Sequence, residues 1–229
     1  MTSLPFAAAP DVRATRFTRV DAAVENTLEI QRSVFLTRLV PVAAEDAARE
    51  VIETARRAHH DARHHCSAFV LGPDRDVQRS SDDGEPGGTA GVPMMQAILQ
   101  RETSDGFRDL SDVVAVTTRW FGGILLGAGG LVRAYSESVS AAVDSAQLTT
   151  WHRRRRLAVS VPMAEAGRAE NALRGLGPAV VDSSYTGEGL TLVLAVDDNS
   201  EALARMEAEV AQAMAGKATT AREGAVWAP

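Results

Sequence analysis

The period of the apolar positions switches several times along this chain. Residues 27–40 have strand character and predict two short strands. Over residues 44–58 the period becomes helical: Val51, Ile52 and Ala55 share one face, with Glu50, Glu53 and Arg57 on others. Residues 66–71 return to a strand, closed by Gly72-Pro73, with 77–79 as a hairpin partner. Pro93 suits the first turn of a helix running to about residue 101. The mostly apolar, β-branched run 113–118 predicts a central strand. A helix to about residue 147 then buries Leu131, Tyr135, Val139, Ala142, Val143 and Ala146 at helical spacing.

A break falls at Trp151-His152-Arg153-Arg154-Arg155-Arg156. Beyond it come a strand at 157–161 and a helix at 164–176 closed by Gly177-Pro178. Strands at 180–185 and 190–196 form a hairpin around Thr186-Gly187-Glu188-Gly189. Ser200 caps a helix to about residue 214, and a weak strand follows around 219–226. That βαββαβ order is the ferredoxin-like pattern. The expected fold class is therefore α+β in two domains. A flexible leader over 1–20 precedes a domain over 21–150, and a ferredoxin-like domain covers 151–229.

Composition narrows the function classes. Net charge is −6, so affinity for nucleic acid is not spread over the whole chain, although local patches can still supply it. Lys217 is the only lysine, a bias that genome base composition explains as well as function does. The single Cys66 excludes an intramolecular disulfide and a four-cysteine zinc site. No stretch approaches eighteen consecutive apolar residues, so no membrane partner is expected. The N-terminus lacks the basic and apolar regions of a signal peptide, and a cytoplasmic location is expected.

Two glycine-rich segments lead directly into helical patterns. The first is Ser80-Ser81-Asp82-Asp83-Gly84-Glu85-Pro86-Gly87-Gly88-Thr89-Ala90-Gly91. The second is Arg119-Trp120-Phe121-Gly122-Gly123-Ile124-Leu125-Leu126-Gly127-Ala128-Gly129-Gly130. Helix starts preceded by glycines offer free N–H groups and the positive end of a dipole, which suits anions. Gly87, Gly88 and Thr89 in one loop, and Gly122, Gly123, Gly127, Gly129 and Gly130 in the other, are thus candidate anion-binding positions. Arg119 and Arg133 are their candidate cationic partners. The second loop is no Walker A motif and lacks a dinucleotide fingerprint, so no cofactor is expected. Glycines also permit close packing of helix on sheet, and that alternative stays open.

The acidic loop Asp82, Asp83, Glu85 has the groups to bind a cation or move a proton. Structural roles are favoured: aspartates satisfy loop N–H groups, and these carboxylates can pair with Arg119 or Arg133 if the two loops meet. Trp120 and Phe121 are candidates for stacking on a base, or for packing. Arg153, Arg154, Arg155 and Arg156 form a candidate nucleic-acid patch, or a solvated charge run flanking a strand. His64 is a further candidate contact. His64 and His65 point to opposite faces of a strand, so no metal site is expected. Cys66 reads as a small buried apolar residue.

Three stretches together resemble the YigZ/IMPACT family: Asp61-Ala62-Arg63-His64-His65-Cys66-Ser67-Ala68-Phe69, then Ser81 through Pro93, then Arg119 through Tyr135. The resemblance implies a first domain similar to domain IV of elongation factor G, a two-layer α/β fold. It implies a second domain similar to that factor's domain V, which is ferredoxin-like. It also implies a role in regulation of translation, with RNA or the ribosome as a partner. The eukaryotic branch binds an activator of a starvation-responsive kinase through an additional N-terminal domain. Only about twenty residues precede the first predicted strand, so that domain and its partnership are not expected here. No catalytic residue transfers from the family. The leading expectation is a non-enzymatic binding protein, monomeric or weakly oligomeric. The alternatives are an enzyme or phosphate/nucleotide binder using the acidic loop, and a protein-interaction adaptor.

Overall fold

The computed structural model describes residues 6–8 and 12–229. It is an α+β protein with two antiparallel sheets and five α-helices among the described residues. The chain divides into two compact units, one over residues 16–150 and the other formed by 151–229 with the described residues before 16. Residues 1–5 and 9–11 of the expected leader lie outside the described residues. The rest of that leader is not free of structure: β1 (Phe6–Ala8) and β2 (Arg16–Val20) are strands.

The unit over 16–150 continues with β3 (Val24–Ile30), β4 (Ser33–Pro41), α1 (Glu45–Ala58), β5 (His64–Leu71) and β6 (Val77–Ser81). It ends with α2 (Gly91–Leu99), β7 (Val113–Trp120) and α3 (Gly127–Ser145). The sheet order is β3-β4-β7-β5-β6, so β7 is central, as its apolar run predicts. Gln31 and Arg32 both have positive φ, 48° and 64°, which lets a two-residue turn join β3 to β4.

Strand parity sorts the side chains of β7 and β5 onto two faces. Val113 and Ala115 of β7, with Cys66, Ala68 and Val70 of β5, pack beneath α2 and α3. Val114 and Val116, with Phe69 and Leu71, pack beneath α1. The unit therefore has three layers, not the two the resemblance implies. The physical reason lies in β7, which is apolar on both faces and so needs a helix over each. By the same parity Thr117 and Arg119 lie on the α3 face, and Thr118 and Trp120 on the α1 face.

The other unit contains most of β8 (Leu148–Pro162), then α4 (Ala166–Arg174), β9 (Ala179–Tyr185), β10 (Gly189–Asp197), α5 (Ser200–Ala213) and β11 (Thr219–Ala228). Its antiparallel order is β1-β11-β8-β10-β9. Leu157, Val159, Leu192 and Leu194 alternate inward against Leu173 of α4 and Met206 of α5, so both helices share one core. Two details differ from the sequence reading. The N-cap of α5 is Asn199, not Ser200; its side chain accepts from the Ala202 N–H at 2.8 Å. The division into units falls at 150/151, inside the continuous strand β8, which starts nine residues before the strand the pattern predicts. Arginines obscure its period because their stems pack along the sheet while their heads pair with acids.

Candidate functional site

The first glycine loop is folded around its own carboxylate. Asp82 accepts hydrogen bonds from the N–H groups of Gly88 (2.8 Å), Ala90 (2.9 Å) and Gly91 (2.8 Å). Burial by itself raises the Asp82 carboxyl, but these three donors outweigh it and hold it below its ordinary range. The carboxylate sits where an external anion would sit, at the start of α2. Thr89 donates its hydroxyl to Pro86 O at 2.7 Å. Gly87, Gly88 and Thr89 are therefore parts of a closed loop, and none of them lines the cavity at the start of α3.

Asp83 is also committed. It accepts from the Arg56 guanidinium at 2.7 Å and from the His65 N–H at 2.6 Å, which ties the loop to α1 and β5. Its carbonyl accepts from His64 Nδ1 at 2.9 Å. Of the three acidic residues, only Glu85 lines the cavity at the start of α3.

That cavity, about 370 Å³, lies where the two glycine loops meet. Its polar lining includes Arg63, His64, Glu85 and Arg119; its apolar lining includes Phe121, Leu125 and Leu131. Register explains part of this grouping, because His64 and Phe35 flank Arg119 on neighbouring strands. Arg119 is only 6% exposed and donates to Glu85 Oε1 at 2.6 Å and to Ser33 Oγ at 3.2 Å. Its Nε–H has no acceptor among the described residues. The Tyr135 hydroxyl donates to the same Glu85 oxygen at 2.8 Å. The Cys66 S–H donates toward Asp82 O at 3.0 Å and the Tyr135 hydroxyl oxygen at 3.3 Å. Burial pushes the Cys66 thiol up to about 12 and lifts the Tyr135 phenol above its usual range. Both stay protonated, so Cys66 is no nucleophile at neutral pH.

The second loop differs from the first at its helix start. The N-cap of α3 is Leu126, whose side chain accepts nothing, and its first turn holds no acidic residue. Gly127 and Ala128 line the cavity, which exposes the positive end of a 19-residue helix to it. Gly127 has φ of +69°, with no atom within 4 Å of where its Cβ would stand. Gly122 is scaffold: a Cβ there would stand 2.0 Å from Arg32 C and O. Gly123 has φ of +84°, which favours glycine for its conformation. The rim of the cavity is apolar and exposed, with Phe121 at 48% and Leu125 at 86%.

Several expected site residues lie elsewhere. Trp120 points to the α1 face, where its Nε1 donates to Asp61 at 2.8 Å and its ring meets His59 edge-on. Arg133 is exposed on α3 and outside the cavity. The four arginines of β8 are each paired: Arg153 and Arg155 with Asp198, Arg154 with Asp197, and Arg156 with Glu223 and Asp182. They form a neutralised ladder, not a free basic patch. Among the described residues no three of His, Cys, Asp and Glu converge on a metal position. Sequence reasoning missed two participants. Tyr135 reads as one of a core stripe, and Arg63 stands only inside the first of the three stretches that carry the family resemblance.

A family model described as the Impact N-terminal domain matches residues 31–143, which contain every residue lining the cavity. IMPACT family member YvyE of Bacillus subtilis is 41% identical over 155 residues, 68% of each chain. IMPACT family member YigZ of Escherichia coli is 44% identical over 124 residues, 53% of this chain and 56% of that one. An IMPACT family member in the pol 5′ region of Thermus thermophilus is 35% identical over 175 residues, 75% of this chain and 88% of that one. A solved structure described as the crystal structure of an hypothetical protein aligns with a TM-score of 0.57 at 30% identity, covering 90% of this chain and 96% of that one. No helix among the described residues is long and apolar enough to cross a membrane.

Proposed function

The chain belongs to the IMPACT family, and from that footing we propose that it is a translation-associated binding protein that holds RNA at the cavity between its glycine loops. The observation that carries this reading is the open start of α3. It shares one cavity with Arg63, His64 and the exposed ring of Phe121. Helix N–H groups and a guanidinium suit phosphate, and an exposed aromatic face suits a base. The cationic partner is then Arg63, because Arg119 is neutralised by Glu85 and Arg133 lies outside. The reading places the protein in the cytoplasm, as a monomer or weak oligomer, working without a cofactor.

We read the units as relatives of elongation factor G domains IV and V, the first with a further layer, α1, over the other face of its sheet. For the second, the order β11-β8-β10-β9 with both helices in one core supports a ferredoxin-like fold. An enzymatic role for the acidic loop is disfavoured, since Asp82 is spent on the loop's own N–H groups and Asp83 on Arg56 and the His65 N–H. Titration of the full chain with ribosomes or structured RNA at rising salt tests the main reading. Binding should weaken steeply between 50 and 200 mM salt. Arg63→Ala and Phe121→Ala should each weaken it about tenfold, and Arg155→Ala should not. Absence of salt-dependent binding overturns the reading.

A further inference from the structure

The donors of the cavity match one kind of phosphate better than another. Two sources of positive charge meet there, the α3 N–H groups at Gly127 and Ala128 and the exposed guanidinium of Arg63; Arg119 also lines the cavity, with its charge paired to Glu85. Arg119 is buried, and its Nε–H stays without an acceptor although its other nitrogens are used. That unspent donor is independent of the helix terminus and marks a missing acceptor beside it. His64 commits its Nδ1–H to Asp83 O, which makes Nε2 of the neutral ring an acceptor and adds no donor to the cavity. Against these stands one carboxylate, Glu85, already shared between Arg119 and Tyr135.

An excess of donors arranged around a small, solvent-open cavity favours a group with several free oxygens and more than one charge. A phosphomonoester has three such oxygens and a charge near −2; an internal diester has two and a charge of −1. The volume, about 370 Å³, lies at the small end for ligand sites and has room for a single nucleotide unit. Phe121, with the Arg119 guanidinium 5.7 Å from its ring, offers a stacking face at the rim, and Leu125 and Leu131 offer apolar wall.

We propose that the cavity recognises a nucleoside phosphomonoester, either as the phosphorylated end of an RNA strand or free. This rests on the reading of the cavity as an RNA site and narrows it from backbone to end. Phosphate sits at the α3 start beside Arg63, and the base lies against Phe121.

The test compares unlabelled competitors against one fluorescent single-stranded 12-mer on the full chain. The 12-mer is used with a 5′-phosphate, with a 3′-phosphate and with neither, and adenosine 5′-monophosphate is added as the free source. One phosphorylated form should bind at least about tenfold tighter than the unphosphorylated strand. Ala128→Asp separates recognition from folding. A carboxylate in the first turn of α3 favours the helix, so the melting temperature should hold or rise while the phosphate preference disappears. Equal binding of all three strands with a steep salt dependence overturns end recognition and leaves the RNA reading standing. Binding of adenosine 5′-monophosphate alone, lost in Ala128→Asp, supports the monoester assignment and overturns the RNA reading. No binding of any probe overturns both.

Discussion

Replacing Glu85 with leucine leaves the Arg119 guanidinium buried without its carboxylate. The two side chains are 7% and 4% exposed and 2.6 Å apart, so neither charge reaches water without opening the floor of the cavity. Removing one partner of such a pair costs about 3–5 kcal/mol. The Tyr135 hydroxyl loses its acceptor in the same step, which adds to that figure. The lower end of that sum, about 4 kcal/mol, already lowers the folding equilibrium of the unit over 16–150 by roughly a thousandfold. With a urea slope of about 2 kcal/mol/M, the midpoint should fall by about 2 M. The double replacement Glu85→Leu, Arg119→Met removes both charges and should recover at least about 2 kcal/mol relative to Glu85→Leu alone. Urea denaturation of the full chain measures this, and hydrogen exchange at β5, β7 and α3 amides reads this unit by itself. A cost under about 1 kcal/mol for the single change would refute the argument. So would a double variant as unstable as the two single losses added together.

Four further outcomes follow from the same geometry. The Cys66 thiol, raised to about 12 by burial, should resist thiol reagents at pH 8 in the folded chain and react at once in denaturant. Asp82→Asn should cost about 1–3 kcal/mol at neutral pH. Because the Asp82 carboxyl is depressed in the folded state, its contribution is present above its ordinary value of 3.8 and is lost as pH falls through the lower folded value. The stability gap between the parent chain and Asp82→Asn should thus be flat from pH 7 to 5 and close below about pH 4, as urea titrations at each pH can check. Gly122→Ala drives a Cβ into the Arg32 carbonyl and should cost about 3 kcal/mol or more, whereas Gly129→Ala meets no atom within 4 Å and should stabilise α3 by up to about 1 kcal/mol in thermal melts.

Much of the α+β architecture is legible in the chain because it depends on neighbours. Alternation in β4 and the helical stripe of α3 are local periods that burial of one face enforces. The site was legible only in part. Pairing of the acidic loop with Arg119 is open to sequence reasoning as a possibility. Which carboxylate takes it is not, since Asp82, Asp83 and Glu85 are alike in composition and differ only in what surrounds them. Asp82 turned inward to the N–H groups of α2, Asp83 to Arg56, and Glu85 to Arg119 and Tyr135. The arginines of β8 read as a patch because their acids, Asp197, Asp198 and Glu223, arrive from β10, the turn after it, and β11.

The two glycine loops show the division most clearly. Residue order alone marks both as helix starts with N–H groups to spare, because glycine content and helical periodicity are local properties. Only the tertiary structure decides that one is filled by Asp82 and the other stands open beside Arg63. A hydrogen bond or an ion pair is set by distance in space, and distance in space between residues far apart in the chain is what folding creates.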